Sequence, residues 1–268
     1  MSYNLDNKGI SSIINNHDLY YIDIWGVIHN GIKLFKDAEI VLDNLHRLKK
    51  EYVLLTNAPR PNNTVISYLK KMGLSNKHCK KVYTSGQAAL NFLKKNYYKS
   101  KFFHIGPAKD FDLFFSFKQN KTEEIDKCDF LLCTGLFESH ERDLDYYKYI
   151  FKKKKNLKMI CTNPDLVVDR GEIREYCAGT IAQIFENLGG RVEYFGKPYP
   201  LIYDLSADKK NKKVLCIGDN LNTDIKGANI QKFNSLLILS GIHKNDNLAV
   251  ITRKKGISIN YTQSHLKW

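Results

Sequence analysis

The sequence has no cysteine pair at C-x-x-C spacing, no internal repeat, no low-complexity linker and no apolar run near the length of a membrane span. Each absence removes a class of protein. Six cysteines (Cys79, Cys128, Cys133, Cys161, Cys177 and Cys216) lie scattered, several in apolar segments where a thiol acts as a small hydrophobe. A disulfide framework belongs mainly to small secreted chains, so these thiols are expected to be reduced. Runs such as Phe130 to Cys133 and Leu236 to Leu239 fall far short of the roughly 20 residues a spanning helix needs, and no membrane segment is expected. Residues Met1 to Ser12 show neither a basic start followed by an apolar stretch nor a small-residue cleavage site. The chain is therefore expected to remain in the cytoplasm.

Acidic residues are the scarcer charge: 28 against 42 lysines and arginines, a net charge of +14 in 268 residues. Such an excess can serve phosphate-backbone binding. Apart from short clusters at Lys152 to Lys155 and around Lys209, Lys210, Lys212 and Lys213, however, the basic residues are spread over polar helix faces and loops, with no nucleic-acid motif. A nucleic-acid partner is not expected; a general attraction for anionic small molecules is. With 43% hydrophobic and 26% charged residues, the composition is that of a globular protein with a packed core.

Short apolar strand candidates alternate with amphipathic helix candidates, the pattern of βαβ units around a parallel sheet. Tyr20 to Ile24, Tyr52 to Leu55 and Lys81 to Tyr83 read as strands. Between the first two, a helix over Asp37 to Lys50 places Ala38, Val41, Leu42, Leu45 and Leu48 on one stripe. Val192 to Phe195, Val214 to Ile217 and Ser235 to Ile238 read as a continuation of the same sheet. An intervening block has its own strands (Phe102 to Ile105, Phe130 to Thr134, Met159 to Cys161) and helices (Asp143 to Phe151, Thr180 to Leu188). The expected division is 1–85 with 190–268 as one α/β domain and 86–189 as an insert.

Four segments carry groups suited to chemistry at the strand ends, where open α/β sheets bind ligands. An apolar strand delivers Asp23 just before Trp25-Gly26 and His29-Asn30-Gly31, and a carboxylate so placed can attack phosphorus. Val53-Leu-Leu-Thr56-Asn57 ends in a hydroxyl and an amide, groups that can hold phosphoryl oxygens, although both residues are also common caps and turn formers. Phe195-Gly196-Lys197-Pro198 presents an ammonium between residues that shape the backbone. Val214-Leu-Cys-Ile-Gly218-Asp219-Asn220-Leu-Asn222-Thr223-Asp224 places two acids just past a strand, hard oxygen ligands of the kind Mg²⁺ favours.

In this order the four segments resemble motifs I to IV of the haloacid dehalogenase (HAD) superfamily. Tyr83-Thr-Ser85-Gly86, Thr162-Asn163-Pro164-Asp165, the Gly179 helix ending in Gly189-Gly190, and Phe195-Gly-Lys-Pro-Tyr-Pro200 resemble its subclass IIA, which includes nitrophenyl-phosphatase-like and sugar-phosphatase-like enzymes. The resemblance implies a Rossmann-like core, with a parallel sheet and helices on both faces, and an inserted α/β cap of the C2 type. It also implies hydrolysis of a small phosphorylated metabolite: Asp23 is the nucleophile, Thr56 binds phosphoryl oxygens and Lys197 offsets charge. Mg²⁺ is then held by Asp23, the Trp25 carbonyl and Asp219, with Asp224 supporting the metal shell. Asn57, Asn220 and Asn222 become polar pocket contacts, Asn163 and Asp165 contacts from the cap. Caps of this kind often mediate dimers, so a homodimer is compatible with it.

One position departs from the pattern. HAD phosphatases carry a second aspartate two residues after the nucleophile, where it protonates the leaving alcohol; here that residue is Trp25, whose indole has no acid or base function near neutral pH. Acid–base assistance is typically worth about 10² to 10⁴ in rate. The departure therefore implies a slow enzyme, a substrate with a good leaving group, or a substitute such as His29. The alternatives are a non-catalytic binder of a phosphorylated metabolite, a HAD hydrolase acting on bonds other than phosphate esters, and a polyanion-binding protein.

Overall fold

The computed structural model describes residues 2–152, 154–171 and 173–268, so Lys153 of the lysine cluster lies outside them. The strands in chain order are β1 (Tyr3–Asn4), β2 (Leu19–Ile22), β3 (Glu51–Thr56), β4 (Val82–Thr84), β5 (Phe102–Ile105), β6 (Phe130–Cys133), β7 (Lys158–Cys161), β8 (Val167–Arg170), β9 (Ile173–Tyr176), β10 (Arg191–Tyr194), β11 (Val214–Gly218), β12 (Asn234–Ile238) and β13 (Tyr261–Gln263). Seven form one parallel sheet in the order β1-β13-β12-β11-β2-β3-β4. From β2 the chain first builds outward to β3 and β4, and later returns to add β11 on the other side. The order therefore reverses between β2 and β11, and a crevice opens there at the carboxyl ends of the strands.

Both faces of this sheet are covered, which is why its central strands are apolar throughout. Alternation sorts their residues. Tyr20, Ile22, Tyr52, Leu54, Leu215 and Ile217 face one layer, built on Val41, Leu42 and Leu45 of the helix Lys36–Arg47. Leu19, Tyr21, Val53, Leu55, Val214 and Cys216 face the other, against Ile202, Tyr203 and Ala228. Leu48, expected on the helical stripe, lies just past the helix end and is 43% exposed. In register, Ile22 stands beside Ile217 and Leu54, so Asp23, Gly218 and the Leu55-Thr56 end emerge at one edge.

A second parallel sheet has the order β10-β7-β6-β5. The strand expected over Val192 to Phe195 belongs here: Arg191–Tyr194 pairs with Lys158–Cys161 and does not continue the large sheet. The reason is connectivity. The helix Ala178–Asn187 buries Ile181, Ala182 and Phe185 against this second sheet, and the short Gly189-Gly190 turn returns the chain beside the strand that the helix covers. The helices Leu144–Phe151 and Ala178–Asn187 lie on one face, while the helix Ser85–Asn96 and the aromatic rings of Phe114 and Phe117 lie on the other. β8 and β9 form a separate antiparallel hairpin that the sequence reading did not anticipate. All six cysteines are free and buried. Among the described residues no helix is long and apolar enough to cross a membrane.

Candidate active site

The strand ends converge on one buried charge cluster. Asp23 follows β2, Thr56 closes β3, Asp219 and Asp224 follow β11, and Lys197 comes from the turn after β10; all five are buried. Lys197 Nζ donates to Asp23 Oδ1 at 2.6 Å and to Asp224 Oδ1 at 2.7 Å. Asn57 holds the lysine's backbone at both ends. Its Oδ1 accepts from Lys197 N–H at 2.7 Å, and its Nδ2 donates to the Lys197 carbonyl at 3.0 Å. Expected as a substrate contact, Asn57 spends much of its hydrogen-bonding capacity on placing the ammonium. The Thr56 hydroxyl accepts from Ala58 N–H at 3.2 Å, which leaves its own proton to donate into the pocket.

The loop after β11 is built for its two acids. Asn220 O accepts from both Asp224 N–H (3.0 Å) and Ile225 N–H (3.2 Å), a wide π-type turn of the kind often found at functional sites. The Asn220 side chain accepts from Asn222 N–H, and Asp224 Oδ2 accepts from Asn220 N–H at 3.1 Å. With Lys197 on its other oxygen, Asp224 is fully engaged and orients its neighbours. Asp219 Oδ2 accepts from Ile242 N–H at 2.9 Å and is wedged between Gly26 and Gly241, where any Cβ would overlap that oxygen.

Carboxylate oxygens of Asp23, Asp219 and Asp224 lie within 4.8 Å of one another. Burial pushes the Asp23 carboxyl well above its ordinary range; Asp224 and Asp219 push the same way, against the Lys197 ammonium. Asp219 is raised to about 7 by burial and by Asp224. For Lys197, burial opposes the charged form, but Asp224, Asp23 and Asp165 outweigh it and keep the side chain an ammonium. Three clustered carboxylates against one ammonium leave excess negative charge in a dry site, and their hard oxygens fit a divalent cation such as Mg²⁺.

Comparison with known proteins agrees with this arrangement. The family model for haloacid dehalogenase-like hydrolases matches residues 20–116, and that for HAD-hydrolase-like proteins matches residues 194–260. A haloacid dehalogenase-like hydrolase from Brucella suis 1330 superposes with a TM-score of 0.84 at 27% identity, over 96% of this chain and 98% of that one. This chain belongs to the haloacid dehalogenase-like hydrolases. A possible sugar phosphatase of the superfamily from Cytophaga hutchinsonii shares the fold, with a TM-score of 0.82 at 20% identity over 97% of this chain and 98% of that one. Phosphoglycolate phosphatase 2 of Arabidopsis thaliana is 22% identical over 274 residues, 91% of this chain and 90% of the plant protein.

In this HAD-like pocket the position two residues after Asp23 holds the roof in place. The indole Nε1 of Trp25 donates to the Asp169 carbonyl at 2.7 Å, and the Arg170 guanidinium lies 5.4 Å from the indole centroid. Arg174 grips the Asp169 carboxylate at 2.8 and 3.0 Å and donates to the Ile242 carbonyl at 3.0 Å. The hairpin β8–β9 thus closes one side of a cavity of ≈ 110 Å³ that Asp23, Thr56, Lys197 and Asp219 line from below. Sequence reasoning missed Asp169, Arg170 and Arg174, because an exposed hairpin shows no apolar periodicity.

Of the remaining expected residues, Asn220 and Asp165 line the cavity, whereas Asn163, Asn222 and His29 do not. Asn163 Oδ1 accepts from Asp165 N–H at 3.0 Å, while the Asn222 side chain turns to Lys255. His29 packs against Trp25 and Tyr68, and its Nδ1 accepts from Gly31 N–H at 2.8 Å. Burial lowers the His29 pKa to about 4, so the imidazole is neutral near pH 7 and serves the turn.

Proposed function

We propose that the protein hydrolyses a small phosphomonoester through an aspartyl-phosphate on Asp23. The observation that carries this reading is the convergence of Asp23, Lys197, Asp219 and Asp224 at the crevice between β2 and β11. We further propose a core of 1–85 and 195–268, with residues 86–194 as the cap; the expected boundary at 190 moves because β10 belongs to the second sheet.

Asp23 supplies the attacking oxygen, and the ammonium 2.6 Å away favours its ionised form and offsets charge on the phosphoryl group. The Thr56 hydroxyl donates to a phosphoryl oxygen. Asp23, Asp219 and the Trp25 carbonyl would hold Mg²⁺, with Asp224 setting the geometry around them. Bound there, the cation would neutralise phosphoryl charge and lower the barrier to displacement. The hairpin keeps bulk water from the reacting groups. The Arabidopsis relatives are named for phosphoglycolate, which makes short phosphorylated hydroxy acids the first compounds to test.

A panel of phosphomonoesters assayed with and without Mg²⁺ tests the proposal. Metal-dependent phosphate release that disappears in Asp23→Asn is expected; turnover unchanged by that substitution rejects the assignment. Trp25 favours a second reading, a binder of phosphorylated metabolites, which predicts ligand-induced thermal stabilisation without phosphate release.

A further inference from the structure

Phosphomonoester hydrolysis leaves one role without a residue. The departing alkoxide needs a proton and the later water must lose one, and the Trp25 indole does neither. Among the described residues, six that line the cavity carry titratable groups: Asp23, Asp165, Asp169, Lys197, Asp219 and Lys244. Asp23 is the nucleophile and Asp219 accepts from Ile242 within the cation cluster. Lys197 is pinned between Asp23 and Asp224, Asp169 has both oxygens on Arg174, and Lys244 stands exposed at the rim. Asp165 remains. Its Oδ1 accepts only a long 3.2 Å bond from Asn57 Nδ2, and it makes no ion pair among the described residues.

We propose that Asp165 is the general acid and base of this reaction. Its carboxyl proton passes to the leaving oxygen as the P–O ester bond breaks and the Asp23–phosphorus bond forms. The resulting carboxylate then takes a proton from water, whose oxygen bonds to phosphorus as the Asp23–phosphorus bond breaks, releasing phosphate and restoring both residues.

The placement fits the role. The phosphoryl end is held by the ends of β2, β3 and β11, so the leaving group points towards the second sheet, and Asp165 enters from the turn after β7 of that sheet. That turn is fixed: Asn163 Oδ1 takes the Asp165 N–H, Gly179 N–H donates to the Asp165 carbonyl at 3.1 Å, and a Cβ on Gly179 would collide with the Pro164 and Asp165 carbonyls. Burial raises the Asp165 carboxyl to about 6; Lys197 pulls it down, Asp224 pushes it up, and the Asn57 amide that donates to it lowers it slightly. A phosphate dianion would add like charge, and a carboxyl near neutrality can act in both directions.

The inference rests on the phosphomonoester reading, and leaving-group dependence separates the two. p-Nitrophenolate departs without a proton, whereas an alkoxide needs one. In Asp165→Asn the p-nitrophenolate burst should stay within about threefold of the parent, while turnover of phosphoglycolate falls about 10² to 10⁴-fold. Equal losses on both substrates, or none on phosphoglycolate, overturn the role of Asp165. If the parent protein releases phosphate from neither ester, it is the functional reading that fails. If Asp165→Asn does not fold, Asp165→Ser takes its place with added formate: restored phosphoglycolate turnover supports the role, and no restoration opposes it.

Discussion

Removing the ammonium at Lys197 would leave Asp23 and Asp224 facing each other in a buried site without counter-charge. Breaking a buried ion pair from one side typically costs about 3–5 kcal/mol. Lys197→Met should therefore lower stability in metal-free urea denaturation, and more at pH 8 than at pH 5. The sign follows from linkage: unpaired buried carboxyls have folded pKa values raised above the unfolded ones, so stability falls as pH rises through that window. Asp219 follows the same rule in the parent protein. With its folded pKa raised to about 7 from 3.8, its contribution favours the metal-free fold at low pH and is lost between about pH 4 and 7. A divalent cation bound at the proposed site would replace the proton. Mg²⁺ should accordingly raise the melting temperature more at pH 8 than at pH 5.5, by an amount corresponding to about 2.7 kcal/mol at a hundredfold excess over its dissociation constant. Paired thermal melts check this, and an equal shift at both pH values would contradict the proposed site.

The hairpin β8–β9 has little core of its own, and its residues are half-buried or exposed. Its position depends on polar contacts: Trp25 to the Asp169 carbonyl, and Arg174 to Asp169 and the Ile242 carbonyl. Trp25→Phe keeps a ring beneath Arg170 but removes the N–H donor. A hydrogen bond of this kind contributes about 0.5–1.5 kcal/mol net, so KM should rise roughly 2- to 10-fold with little change in kcat. Steady-state kinetics would show it; a collapse of kcat alone would place Trp25 in the chemistry instead. The helix Lys36–Arg47 and strands β2, β3 and β11 were legible because their periodicities are local and strong. The hairpin was not, since Val167–Arg170 and Ile173–Tyr176 bury no continuous apolar face.

At the scale of the whole molecule, the two sheets meet across polar clamps as well as the pocket. Arg60, in the loop after β3, pairs with Asp112 through Nη2 at 2.9 Å, and Thr64 also donates to Asp112. Asp112 lies in the segment Ala108–Leu113 that follows β5 of the second sheet, so the pair ties the two sheets together. Arg60→Ala should speed amide exchange over Ala108–Leu113 while leaving β2 and β11 protected, as expected for a local opening below the global unfolding free energy. Hydrogen-exchange mass spectrometry would detect it. Uniform acceleration through β2 and β11 would show that the clamp supports the entire fold.

The amino-acid sequence by itself determined the alternation of strands and helices, the acidic, hydroxyl and ammonium groups at the strand ends, and the missing second acid at Trp25. These are properties of short segments, set by side-chain period and residue type. Only the tertiary structure decided that Arg191–Tyr194 pairs with β7, that Trp25 supports a roof, that Asn57 places Lys197, and that His29 turns away while Asp165 lines the cavity. Apart from His29, whose Nδ1 accepts from the nearby Gly31 N–H, each depends on a contact between residues far apart in the chain, such as Trp25 and Asp169 144 positions apart, and such a contact leaves no mark on the local pattern of either partner.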